Sequence, residues 1–158
     1  MDFSRLTTKS QEAVGAAQEL ARRSGNPEIY PEHVLLALLD QELPRTLVER
    51  AGHSVADVRA RAEAALSAKP AVQGTAQQPR ASTDFSSLLD KAEEEMRRLE
   101  DEFLSTEHLL LALDVVPRDA LLSALSQVRG SQRVTSHDPE GSYQALEKFG
   151  RDLTELAE

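Results

Sequence analysis

Apolar residues recur every three or four positions over several stretches of this chain, which is the period of an amphipathic α-helix. The first stretch spans about 8–24 and has mostly small residues on its apolar side. The second spans 31–39, and apolar residues surround it almost completely, which predicts a buried central helix. Two more helices are expected, a short one at 45–51 and one at 54–66 that opens with a capping serine.

A second series of helices follows. Residues 84–103 carry large apolar side chains at the helical spacing, so a strongly amphipathic helix is expected there. Another buried helix comes next, capped by Ser105 or Thr106, and a further one begins after Pro117. The last sixteen residues, 143–158, have the pattern of an amphipathic helix as well.

The two series repeat one phrase. Residues 32–39 read EHVLLALL and residues 107–113 read EHLLLAL, an offset of 75 (107 − 32 = 75). At that offset, residues 10–33 overlay 85–108 without a gap. Two copies of one helical unit predict a pseudo-symmetric domain with a groove between the copies.

The expected fold is therefore all-α, with two pseudo-symmetric helical repeats, a polar linker and a C-terminal helix. The expected divisions are a first repeat at 1–68, a linker at 69–83, a second repeat at 84–130, a loop at 131–142 and the last helix at 143–158. The second repeat reaches its last apolar residue sooner than the first. We therefore expect it to be shortened, with no counterpart of the helix at 45–51.

Composition narrows the class of protein. Apolar residues make up 40% of the 158 residues, but aromatic residues only 4%, so the core must be aliphatic. Cysteine is absent, which excludes disulfides, thiolate nucleophiles and cysteine metal sites. Neither an apolar signal segment nor a run of membrane-spanning length is found, so we expect a cytoplasmic protein with no membrane partner. The net charge of −9 argues against nucleic-acid binding, which needs clustered lysine and arginine.

Motifs for catalysis are missing from the sequence. The four histidines form no zinc-binding spacing, and neither a nucleophile elbow nor a phosphate loop occurs. We therefore expect no enzymatic activity and no cofactor or metal in this chain. His33 and His108 occupy equivalent positions in the two copies, each just inside a buried helix. They are interpreted as structural hydrogen-bonding groups at the helix entry in preference to a metal or proton pair.

Glutamates precede both of these histidines. Glu32 and Glu107 lie in the first turn of their helices, where a carboxylate gains from the helix dipole. Alternatively, both face the groove between the copies and hold cationic groups of a bound peptide. Asp101, just before the second buried helix, would add to that negative charge.

Three stretches resemble one known family. They are RLTTKSQEAV at 5–14, the paired EHVLLALL and STEHLLLAL, and VRGSQRVTSHDPEGSYQALEKFGRDLTELA at 128–157. Together they are similar to the N-terminal region of ClpB-type disaggregases, ring-forming AAA+ ATPases of the Clp family. The resemblance implies two Clp-type repeats that form a mobile N-terminal domain within 1–130. It also implies that 143–158 begins the first ATPase domain of a longer parent, which would bind ATP.

The resemblance also implies a function. In that family, the N-terminal domain binds exposed segments of unfolded or aggregated proteins and helps to pass them to the ATPase ring. Substrate-contacting positions of relatives match Thr7, Asp101 and Glu107. ClpC-type domains recognise arginine phosphate with residues that match Glu32 and Glu107. The alternatives are therefore an adaptor-docking module or a phosphoarginine-recognition module of a protease-coupled Clp unfoldase.

This chain departs from its relatives at three groove positions. Relatives carry apolar residues where this chain has Lys91, Glu95 and His108. We therefore expect a bound peptide to meet a more polar surface here.

Overall fold

The computed structural model describes residues 3–72, 78–130 and 132–141. The helices of the first repeat are α1 (Thr8–Arg23), α2 (Pro31–Leu38), α3 (Glu42–Arg50) and α4 (Val55–Ser67). Those of the second are α5 (Thr83–Arg98), α6 (Thr106–Leu113) and α7 (Arg118–Arg129). A 3-10 turn, Phe3–Arg5, precedes α1, and two short parallel strands pair, β1 (Glu28–Ile29) and β2 (Arg80–Ala81). The predicted all-α fold with two repeats is confirmed. The predicted helix at 143–158 lies outside the described residues.

Side chains at the helix ends explain where the helices begin. Thr7, Ser54 and Ser82 accept hydrogen bonds from the backbone N–H three residues further on, at the starts of α1, α4 and α5. The third helix begins at Glu42, three residues earlier than predicted. Pro44 lies inside its first turn, where a missing N–H leaves no hydrogen bond unmade.

The two repeats exchange their leading segments. Leu6, just before α1, pairs with Leu104 of the second repeat. Strand β2, just before α5, pairs in parallel with β1 of the first repeat, so that Ala81 lies opposite Ile29. These two pairings are equivalent under the 75-residue offset, since 6 + 75 = 81 and 29 + 75 = 104. Each repeat therefore completes a backbone pairing in the other.

The core lies on both sides of the central helices. Helices α2 and α6 contact each other, as their almost wholly apolar sequences predict, and α1 and α5 pack against them. One apolar cluster fills the space between these four helices and includes Ala17, Leu38, Leu88 and Leu109. A second cluster joins the opposite side of α2 and α6 to α3, α4 and α7.

The prediction that the helix at 45–51 has no counterpart was wrong. Helix α7 starts 76 residues after α3 (118 − 42 = 76), close to the repeat offset, and packs against it. The element without a counterpart is α4, since residues 132–138 form neither helix nor strand. The fully buried Val134 joins the second cluster in that region. The prediction relied on the distance from the EH phrase of each repeat to its last apolar residue. That distance does not identify the missing helix, because α7 is longer than α3.

Within the described ranges, the structure contains no helix that is both long and apolar enough to span a bilayer.

Candidate functional site

Each central helix begins with a histidine that bonds back to the chain before it. The Nδ1 atom of His33 accepts a hydrogen bond from the Tyr30 N–H at 2.9 Å, and His108 Nδ1 accepts one from the Ser105 N–H at 2.9 Å. Both histidines are fully buried, and burial lowers the pKa of His33 to about 4. The structural interpretation of the pair is thereby confirmed.

The other ring nitrogens have different partners in the two repeats. His33 Nε2 lies 3.0 Å from Asn26 Oδ1, whereas His108 Nε2 lies 2.7 Å from Asp101 Oδ2. Because each Nδ1 accepts, each Nε2 carries the hydrogen and donates it. Asn26 and Asp101 are equivalent under the repeat offset (26 + 75 = 101). The second repeat therefore places a carboxyl group where the first has a neutral amide.

Arg129, the last residue of α7, pairs with that carboxyl group. Its Nη2 donates to Asp101 Oδ1 at 2.6 Å, and its Nη1 donates to Glu107 Oε2 at 3.2 Å. The side chain of Arg129 is 4% exposed, and those of both carboxylates are fully buried. One guanidinium group thus holds two of the predicted site residues together.

The ionisation of Asp101 follows from these contacts. Burial alone would raise its pKa, but hydrogen bonds from His108 and Arg129 and from the Val134 N–H outweigh burial. The pKa of Asp101 therefore lies below its usual value, and the group is an anion at neutral pH.

Thr7 joins the same region through a second acid. Its hydroxyl oxygen, which caps α1, lies 2.7 Å from Glu140 Oε2. Glu140 is only 1% exposed. Burial raises its pKa to about 7, the Glu107 carboxylate adds to this increase, and the Thr7 hydroxyl and the Thr106 N–H oppose it. Glu140 is thus partly protonated at neutral pH.

The structure therefore brings Thr7, Asp101 and Glu107 into one polar cluster, linked by Arg129 and Glu140. All three predicted residues are nevertheless buried, at 0%, 7% and 1% exposure, beneath the segment that ends in Glu140. Glu32 is not a member. It lines a separate cavity of about 290 Å³ beside α4, together with Leu35, Val58, Arg61, Ala62, Ala65, Asp114 and Val115.

Sequence reasoning missed Arg129 and Glu140. Nothing in the spacing of either residue indicates burial, since each looks like an ordinary charged residue at a helix end or in a loop. The one available signal was Arg129 directly after Val128, on the apolar side of α7.

The three departures from the family pattern have different environments. Glu95 is mostly buried, and its carboxylate accepts a hydrogen bond from Arg118 Nη2 at 2.7 Å. His108 is the buried residue described above, and Lys91 is exposed. Of the three, only Lys91 faces solvent freely.

The sequence of this chain matches a known protein family. The family model for the Clp repeat N-terminal domain matches residues 5–128, most of the chain. This chain belongs to the Clp repeat N-terminal domain family. The resemblance seen in the sequence is thereby confirmed, and the buried helices α2 and α6 are the central helices of two Clp repeats.

Curated relatives of this Clp repeat domain are much longer than the chain. It is 39% identical to the chaperone protein ClpB of Mycobacterium tuberculosis strain H37Rv over 172 aligned residues, which cover 99% of this chain and 20% of that protein. It is 36% identical to ClpB of Bacillus cereus, over 97% of this chain and again 20% of the relative. The chain thus spans about a fifth of the length of these chaperones.

Solved structures show the same domain. The N-terminal domain of Hsp104 from Candida albicans superposes with a TM-score of 0.74 at 25% identity, covering 84% of this chain and 97% of that one. The N-domain of ClpV from Vibrio cholerae has a TM-score of 0.61 at 22% identity, covering 78% and 84%, and shows the fold alone.

Proposed function

We propose that this chain is the substrate-engaging N-terminal domain of an ATP-dependent protein disaggregase. It would bind exposed segments of unfolded or aggregated proteins in the cytoplasm and deliver them to the ATPase ring of its parent. ATP would be bound by that parent and not by this domain. The similarity to ClpB chaperones at 36–39% identity supports this reading.

One observation carries the proposal. Thr7, Asp101 and Glu107 come from distant parts of the sequence and belong to one polar cluster. Charged groups are rarely buried without a structural or functional reason, because their desolvation is costly. Residues 132–141 of the chain already bind at this cluster through main-chain hydrogen bonds, which supports its use as a binding surface for polypeptide backbone.

The phosphoarginine alternative receives less support. It requires Glu32 and Glu107 to act together on one ligand. Glu107 is buried against Arg129, whereas Glu32 lines a cavity with α4 residues. The Arg129 guanidinium already occupies the position at Glu107 that a substrate arginine would take.

The test is a titration with a permanently unfolded, soluble polypeptide, followed by ¹H–¹⁵N NMR. Substrate binding should shift the amide signals of Thr7, Asp101 and Glu107. Because the domain offers a small surface, we expect weak affinity and many partners. No shift at these three residues at millimolar polypeptide would contradict the proposal. Stoichiometric capture of one folded protein would favour adaptor docking instead.

A further inference from the structure

The segment 132–141 crosses the polar cluster as a loop that bends at 136–137 and turns helical at 139–141, and its backbone holds it there. The Val134 carbonyl accepts a hydrogen bond from the Glu102 N–H at 2.8 Å, and the Val134 N–H donates to Asp101 Oδ1 at 2.9 Å. Further along, the His137 carbonyl accepts from the Thr8 N–H at 2.8 Å. Together with two hydrogen bonds between the Gln132 main chain and Arg129, these contacts attach the segment to the domain.

Two buried side chains anchor the same segment, and the exposed Arg133 adds a hydrogen bond from its Nη1 to the Leu99 carbonyl at 2.7 Å. Val134 is fully buried in the apolar cluster between the repeats. Six positions later (140 − 134 = 6), the Glu140 carboxyl group reaches the Thr7 hydroxyl at 2.7 Å. Between these anchors, the His137 ring packs against Phe103 with 4.3 Å between ring centroids.

The donors that receive this segment do not depend on its sequence. Thr8 is the first residue of α1, so its N–H has no partner within the helix. Glu102 lies in the connection before α6, outside any helix or strand. Any extended polypeptide offers carbonyl groups to such donors. Selectivity would come from the two anchor positions. One is the aliphatic pocket that holds Val134, and the other is the place that receives the carboxyl group of Glu140.

We propose that residues 132–141 are an intramolecular ligand in the groove where this domain binds polypeptide, and that other polypeptides bind by displacing them. The proposal rests on the proposed function and adds to it the kind of segment preferred. That segment has a β-branched aliphatic residue followed six positions later by an acidic residue, with a bend between the two.

Displacement sets the affinity that is measured. A partner binds only the fraction of molecules whose segment is released, so the apparent dissociation constant rises as that fraction falls. Loosening the segment should therefore tighten binding of the partner, although no residue that contacts the partner has changed. A site without an internal ligand would show no such gain.

The experiment uses the full chain and the variant Val134→Thr, which keeps the side-chain volume but buries a hydroxyl group. The matched control is Thr135→Val at the adjacent exposed position. The probes are a labelled synthetic peptide with the sequence QRVTSHDPEG and a permanently unfolded polypeptide, both at pH 6. We expect both probes to bind Val134→Thr about tenfold more tightly than wild type, since the buried hydroxyl weakens docking by that order. The control should bind like wild type.

Hydrogen exchange of the Thr8 and Glu102 amides reports release of the segment independently. Both should exchange faster in Val134→Thr than in wild type, while amides in α2 stay protected. Glu140→Ala removes the other anchor and serves as a second release variant if Val134→Thr does not fold.

The outcomes separate the two proposals. Faster exchange with unchanged affinity for both probes would overturn displacement but leave polypeptide binding elsewhere on the domain. Faster exchange with no binding of either probe would overturn the proposed function as well. Unchanged exchange in both release variants would show that Val134 and Glu140 do not hold the segment, which also overturns displacement.

Discussion

Arg129 and Asp101 form an ion pair of 2.6 Å between Nη2 and Oδ1, with side chains 4% and 0% exposed. The pair joins the end of α7 to the loop before α6. Glu107 shares the same guanidinium group, so one cation pairs with two buried carboxylates. The second repeat thus uses charge at a place where the first repeat uses the neutral Asn26.

Removing that cation should be costly. Arg129→Ala leaves Asp101 and Glu107 buried without their partner, so we expect a loss of about 3–5 kcal/mol in the free energy of unfolding. Arg97→Ala is the matched control, because its ion pair with Glu93 is on the surface and should be worth less than about 1 kcal/mol. Urea unfolding of both variants measures the difference. Equal losses in the two variants would show that burial of the pair does not matter.

The first residue of the predicted site, Thr7, has a structural role that stability measurements can test. Thr7→Ala removes the cap of α1 together with the hydroxyl partner of Glu140, and should lower the free energy of unfolding by about 1–2 kcal/mol. Thr8→Ala, at the neighbouring exposed position, should change it by less than about 0.5 kcal/mol. Thr7→Ser should recover most of the loss, because it restores the hydroxyl. Failure of that rescue would argue against the hydroxyl as the cause.

Docking of Glu140 should depend on pH. Its pKa in the folded protein, about 7, lies above the ordinary 4.5, so its contribution to stability is full below pH 4.5 and is lost as pH rises through about 7. Glu107 faces it from α6 and is paired with Arg129 on α7. The neutral variant Glu140→Gln should lack this dependence.

His33 changes stability in the opposite direction over part of the same range. Its pKa is lowered to about 4 from 6.5, so its contribution is present above pH 6.5 and is lost as pH falls toward 4. The useful quantity is therefore the difference in unfolding free energy between wild type and Glu140→Gln, in which the His33 contribution cancels. Wild type should lose stability relative to Glu140→Gln as the pH rises from 5.5 to 8. A constant difference would exclude Glu140 as the titrating group.

The repeat offset suggests a substitution that gives His33 the kind of partner that His108 has. Asn26→Asp would place a carboxylate beside His33 Nε2, as Asp101 lies beside His108. An adjacent anion favours the imidazolium, so the pKa of His33 should rise above its present value. NMR titration of the His33 ring protons measures it, with His53, which lies outside this contact, as an internal reference. An unchanged His33 titration would mean that the new carboxylate points elsewhere.

Much of this fold could be predicted because local signals agree with packing. Capping at Thr7 and Ser54, and apolar residues on all sides of α2, identify helices before any contact is known. The repeat offset then predicts that Glu32 and Glu107 are equivalent. The offset could not predict that the surroundings of Glu32 and Glu107 differ. The first repeat has α4 there, which has no counterpart, whereas the 132–141 segment crosses the second repeat. Burial of Arg129 and Glu140 arises from this long-range crossing, and no spacing in the sequence reports it.

The exchanged pairings, Leu6 with Leu104 and Ala81 with Ile29, have a consequence for how the domain comes apart. Removing either repeat would break hydrogen bonds and expose apolar residues in the other, so a single repeat should not fold by itself. Melting should consequently proceed in a single step, with one midpoint for reporters placed in α1 and in α5.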